Sequence, residues 1–165
     1  MAEHHARVQW RLQPGETFLK GQYSRGHTLS FDEGLTVPGS ASPHVVGKRW
    51  SEARAADPEE LLVAALSSCH MLTFLHHARR AGFVVLDYGD DAVGILEEVD
   101  PGRHAVTRVT LRPRITWEGG APDAATLAQL HHDAHEECFI ANSVRTEVTV
   151  DHGEGERTEV PEPTE

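Results

Sequence analysis

The chain has 165 residues, 39% of them apolar, and 26 acidic side chains against 15 basic ones give a formal charge of −11. That length suits a single domain with its own core, and so large an acidic excess leaves no surface to follow a phosphate backbone, so no nucleic-acid partner is expected. No apolar run reaches the roughly 20 residues that span a bilayer, and the first residues lack the basic-then-apolar order of a leader, so no membrane partner is expected and the location expected is cytoplasmic.

In chain order, residues 8–12, 17–24 and 27–31 read as short strands, separated by Pro14-Gly15 and followed by the turn signal Asp32-Glu33-Gly34. Residues 38–54 have the composition of a loop. Residues 58–81 read as a long helix: Asp57 can cap it, Pro58 suits its first position, and Asp57 and Glu60 have capping-box spacing. Arg79 and Arg80 fall in its last turn and Gly82 stops it. Apolar and small residues occupy nearly every face between Leu61 and Leu75, the pattern of a central helix surrounded by protein.

Residues 83–88, 92–99 and 105–117 read as extended. In the last, Val109, Leu111, Ile115 and Trp117 alternate with Thr110, Arg112, Arg114 and Thr116, and Asp100-Pro101-Gly102 marks a turn before it. A shorter, more polar helix spans about 122–137 and ends before Cys138; residues 146–150 supply a closing strand. The order of elements predicts an α+β fold of antiparallel sheets packed around a long central helix and a second helix. Residues 1–150 make the domain, and residues 151–165 an acidic, unpatterned tail expected to be disordered.

The two cysteines, Cys69 and Cys138, are the first candidates for chemistry. In a reducing compartment a transient disulfide is catalytic or sensing, but buried cysteines also serve as small hydrophobes, and both readings stand at this point. Cys69 is the twelfth residue of the long helix, about 16 Å from its N-terminus, where the helix dipole has faded. A reactive thiol there needs a cation from elsewhere in the fold, and Arg25, in a turn between N-terminal strands, is the candidate. An arginine stays charged when partly desolvated, and its planar fork can hold a thiolate together with a second acceptor. Glu59 could orient that arginine. It stands ten residues from Cys69, about 15 Å along the helix axis, so either the helix is broken or Glu59 serves the cysteine of a second subunit.

A rival reading is a metal-binding module, because His131 and His135 are spaced i, i+4 and His135 and Cys138 i, i+3. Another is a non-catalytic binding protein whose two cysteines are buried as small hydrophobes.

The chain resembles the OsmC/Ohr family of osmotically inducible and organic-hydroperoxide-resistance proteins over about residues 18–150. The resemblance rests on Asp57-Pro58-Glu59-Glu60-Leu61-Leu62 leading into Ala64-Ala65-Leu66-Ser67-Ser68-Cys69-His70, and on Ala134-His135-Glu136-Glu137-Cys138-Phe139-Ile140-Ala141-Asn142-Ser143-Val144. Tyr23-Ser24-Arg25, with Gly34 nine residues on, resembles the family's N-terminal arginine turn. It implies a cofactor-free thiol peroxidase: Cys69 attacks the O–O bond of an organic hydroperoxide, hydrogen peroxide being the alternative, and Cys138 resolves the sulfenic acid to a disulfide. Arg25 would lower the Cys69 pKa and polarise the peroxide, and Glu59 would hold Arg25. An intertwined homodimer with sites at the subunit interface is also implied, as is a dithiol reductant of the lipoyl type. Phe139 stands where Ohr members usually have proline, and His70-Met71-Leu72 after Cys69 is closer to OsmC-like members. These departures bear on the substrate more than on the reaction.

Overall fold

Local signals at both ends of the long apolar segment are realised in α2 (Pro58–Arg80), which runs without a break. The Glu60 N–H donates to Asp57 Oδ1 at 2.8 Å and the Asp57 N–H to Glu60 Oε2 at 3.0 Å, the reciprocal pair of a capping box. At the other end Gly82 takes φ +88°, which lets the Phe83 N–H turn back to the Ala78 carbonyl at 3.0 Å. The computed structural model describes residues 1–151, and contacts divide the chain into two units, Met1–Leu61 and the residues from 62 onward.

The first unit holds an antiparallel sheet in the order β1 (Arg7–Gln9), β2 (His27–Ser30), β3 (Thr36–Gly39). Residues 17–24 form no strand. Thr17 and Gln22 make one isolated bridge around a 3₁₀ turn at Phe18–Lys20, closed by Gly21 in the left-handed region at φ +68°. Within the segment expected as loop, Ser42 caps a short helix, α1 (Pro43–Val46), by accepting the His44 N–H at 3.3 Å.

The second unit contains β4 (Val84–Asp90), β5 (Val93–Asp100), β6 (Arg103–Leu111), β7 (Pro113–Glu118), α3 (Ala124–Glu136) and β8 (Glu147–Val150). Residues 105–117, expected as one strand, are divided between two sheets at Arg112. Its N–H donates to Asp90 Oδ1 at 2.6 Å and Pro113 has no N–H, so β6 stays with β5 while β7 pairs with β4. All pairings are antiparallel except β6 with β8, which the long connection through α3 makes parallel.

One core joins Phe74 and Ala78 of α2 to Leu130 and Ala134 of α3 beneath Trp117, Tyr88 and Ile115. The other joins Leu66 to Val109 and Leu111. Leu66, His70, Phe74 and Ala78 form an i, i+4 stripe, the buried face of α2. By length and composition α2 is apolar enough to cross a membrane, which the sequence reading had excluded, yet it is folded against these cores and only 22% of its apolar window is buried by its own chain. Of the tail expected from residue 151, Asp151 is fixed by its N–H to the Leu111 carbonyl at 2.8 Å; the remainder lies outside the described residues.

Candidate active site

The four residues singled out as catalytic fall into two pairs, one in each unit. In the second unit Cys69 sits half-buried in the middle of α2, and Cys138 is buried just past the end of α3, its N–H bonded to the His135 carbonyl at 3.2 Å. Both thiols are free, and Cys69 is near enough to Cys138 to act on its titration. Burial pushes the Cys138 thiol above its ordinary pKa, and the neighbouring Cys69 adds to the rise. The Ala141 N–H, 3.4 Å from Cys138 Sγ, opposes the shift without overcoming it. Burial thus favours the protonated form of Cys138.

In the first unit Arg25 and Glu59 line one pocket of about 210 Å³, together with His27, Ser42, Val45 and Pro58. They form no ion pair, since Arg25 is turned onto its own loop: Nη1 donates to the carbonyls of Tyr23 at 2.5 Å and Gly21 at 3.1 Å, and the guanidinium stacks 3.7 Å from the Tyr23 ring centre. The loop is held from beneath by Glu16, whose carboxylate accepts the N–H groups of Ser24 at 2.7 Å and Gln13 at 2.8 Å. Those two bonds, the Ser24 bond first, keep Glu16 below the usual carboxylate pKa. Gly26 follows Arg25 where a Cβ would meet the Glu52 side chain at 2.6 Å. Trp10, packed at a tilt against Phe18 and edge-on against Tyr23, donates its indole N–H to the Ser24 carbonyl at 2.9 Å.

The histidine set proposed for metal is not assembled. His131 is buried and its Nδ1 lies 3.0 Å from His70 Nε2, drawn away from His135 and Cys138 by a partner on the other helix. Among the described residues no group of three His, Cys, Asp or Glu side chains is arranged to hold a metal ion. The sequence reading missed the pairing of His70 with His131, whose signal was only that His70 adjoins Cys69 and His131 precedes Cys138 by two helical turns. Glu16 and the Ala141 N–H were missed as well; Glu16 had no motif, and backbone donors have no sequence signature.

Comparison with known proteins adds an independent line. The OsmC-like protein family model matches residues 51–153. An OsmC-like protein of unknown function from Vibrio cholerae is 49% identical, with a TM-score of 0.87 over 92% of this chain and 99% of that one. Peroxiredoxin OsmC of Escherichia coli is 26% identical over 139 residues, 84% of this chain and 93% of that protein. The fold is shared also with an organic hydroperoxide resistance protein OsmC from Legionella pneumophila, 21% identical, with a TM-score of 0.64 over 91% of this chain and 94% of that one.

Proposed function

The chain belongs to the OsmC-like protein family, and we propose that it is a cysteine-based peroxidase reducing organic hydroperoxides. The observation that carries this reading is that Cys69 and Cys138, from two different elements, are neighbours, one half-buried and the other buried. A pair serving only as core filler has no need of that asymmetry.

In the first step the Cys69 thiolate attacks the distal peroxide oxygen. The S–O bond forms as O–O breaks, the alkoxide takes a proton and leaves as alcohol, and Cys69 becomes a sulfenic acid. Next the Cys138 sulfur attacks Cys69. The S–S bond forms, the S–O bond breaks, and the hydroxyl leaves as water with the proton of the Cys138 thiol. A dithiol then returns both cysteines to thiols by exchange and is itself oxidised to a disulfide. Electrons thus pass from dithiol to peroxide without a cofactor. A lipoyl-type dithiol remains the proposed reductant, and thiols that must be re-reduced at every turnover suit a cytoplasmic location.

Arg25 would supply the positive charge for the Cys69 thiolate and the breaking O–O bond, with Glu59, on the same pocket, accepting its guanidinium once it leaves the Tyr23 ring. Because α2 is unbroken, Glu59 stands about 15 Å along the helix from Cys69, so the Arg25–Glu59 pair acts on the cysteines of a second copy. The apolar face that α2 leaves uncovered, Leu72 at 61% exposure included, supports the same homodimer. The activity is assigned to residues 1–150.

The decisive experiment is consumption of cumene hydroperoxide with a dithiol by the parent and by Cys69→Ser. Loss of turnover in the variant is expected; turnover at the parental rate would reject the Cys69 mechanism, and a parent without turnover would leave a non-catalytic binding protein. In Cys138→Ser, stoichiometric peroxide should leave a dimedone adduct at Cys69. Light scattering at micromolar concentration should give a dimer mass, and a monomer would reject the shared site.

A further inference from the structure

α2, which bears Cys69, and α3, which ends just before Cys138, are joined by a contact that the peroxidase steps do not employ. His70 Nε2 and His131 Nδ1 lie 3.0 Å apart, their ring planes within 4° and their centroids 5.3 Å apart. Both residues are buried, at 1% and 3% exposure. Phe74, one turn after His70, stacks on His131 with centroids 4.3 Å apart, so the His131 ring is held by two residues of α2. His70 follows Cys69 directly, and His131 precedes Cys138 by seven residues, two turns of helix. The contact therefore ties α2 beside one thiol to α3 two turns before the other.

Two buried polar rings are a poor choice for stability alone, because each must be desolvated and apolar side chains of similar shape would fill the space without that cost. A hydrogen bond adds direction: an apolar interface tolerates small slides that a bond between fixed ring atoms does not. A further polar link, from His77 Nε2 on α2 to Oε2 of Glu137 at the C-cap of α3 at 3.1 Å, has its carboxylate 62% exposed and restrains little. Disulfide formation needs a Cα separation of about 4.4–6.8 Å, so helix register bears directly on the resolving reaction.

We propose that His70 and His131 are positioning residues whose hydrogen bond sets the register of α3 on α2 and so holds the Cys138 sulfur where it can attack oxidised Cys69. This rests on the peroxidase reading and concerns its second step: S–S forms, S–O breaks, and water leaves with the Cys138 proton. The first step, which uses Cys69 and the peroxide, does not depend on that register.

The test is a single turnover with stoichiometric cumene hydroperoxide, following peroxide loss and, by intact mass, disulfide formation. His131→Phe keeps a ring against Phe74 but removes the hydrogen bond. Peroxide loss should be unchanged while disulfide formation slows about tenfold or more and the dimedone-trapped fraction rises. His131→Asn offers a donor or an acceptor near the place of Nδ1, whichever ring carries the proton, and should restore most of the rate. The double variant His70→Leu/His131→Phe leaves no unpaired ring and carries the test if His131→Phe does not fold. Disulfide formation at the parental rate in either folded variant overturns the proposal. So does equal slowing of both steps, or His131→Asn no better than His131→Phe, since either marks a merely structural role. If the parent consumes no hydroperoxide, it is the peroxidase reading that fails. Register is then read from the Cys69–Cys138 disulfide in a glutathione buffer, where an effective thiol concentration unchanged by His131→Phe overturns it and a fall of about tenfold supports it.

Discussion

The two units of this chain are ordered by different forces. From residue 62 onward Leu66, Phe74, Ala78, Val109, Leu111, Leu130 and Ala134 are buried in two clusters and Cys138 is buried as well, whereas among the described residues of Met1–Leu61 the buried apolar side chain of the core is Leu29. The first unit relies on short-range polar ties: Glu16 beneath the Arg25 loop, the Glu52 N–H to Ser40 Oγ at 2.9 Å, and Ser24 Oγ to Glu52 at 2.5 Å. Its aromatic residues are half open to solvent, with Phe18 at 51% and Trp10 at 39% exposure. The contrast suits a division of labour. Sulfur–sulfur bonding tolerates little displacement and belongs where packing is tight, while a guanidinium acts through a field that falls off more gently with distance.

The contrast breaks or holds on measurable differences. The largest effect is expected for Phe74→Ala, which opens a space among Trp117, Tyr88 and His131 and should cost about 3–5 kcal/mol in denaturant unfolding. Leu29→Ala should cost clearly less; an equal loss would mean that the first unit is as tightly packed as the second. Next is Arg25→Met, for which peroxidase turnover should fall about 100-fold, the scale for removing one preorganised charge-stabilising donor, with little change in melting temperature. A large loss of stability instead would make the Tyr23 stack structural. Asp57→Ala removes half of a capping box and should cost about 1 kcal/mol by thermal unfolding.

The smallest effects separate the units by pH. Glu16 has its pKa lowered in the fold, so its contribution is present above the unfolded carboxylate value of about 4.3 and lost as pH falls through the folded one. Trp10 emission should report an acid transition that Glu16→Gln abolishes. Cys138 has its pKa raised, so its contribution is full below the unfolded thiol value of about 8.5 and lost as pH rises through the folded one. Cys138→Ala should flatten the alkaline limb of the stability curve and leave the acid limb alone.

Much of the architecture could be read locally. The box of Asp57 and Glu60, the stop at Gly82 and the cap at Asp123, which accepts the Thr126 N–H at 2.7 Å, each act over three or four residues. Both long helices were therefore legible almost to their ends. Two misses, the strand expected at 17–24 and the short helix at Pro43–Val46, were local, whereas in the second unit the deciding contact lay far along the chain. Residues 105–117 divide because Asp90 takes the Arg112 N–H, twenty-two residues away, and β8 returns parallel because α3 intervenes.

The site follows the same rule. The sequence alone determined the reactive inventory: two thiols, an arginine in an N-terminal turn, and a carboxylate on a helix too long for it to reach its own Cys69. Tertiary structure decided which atoms meet. It brought Cys138 beside Cys69 and raised its pKa by burial, folded Arg25 onto Tyr23, and made His131 the partner of His70, sixty-one residues away. Residue identity and helical spacing set which groups can react, but pKa and register depend on desolvation and on contacts across elements, which spacing within one helix does not encode.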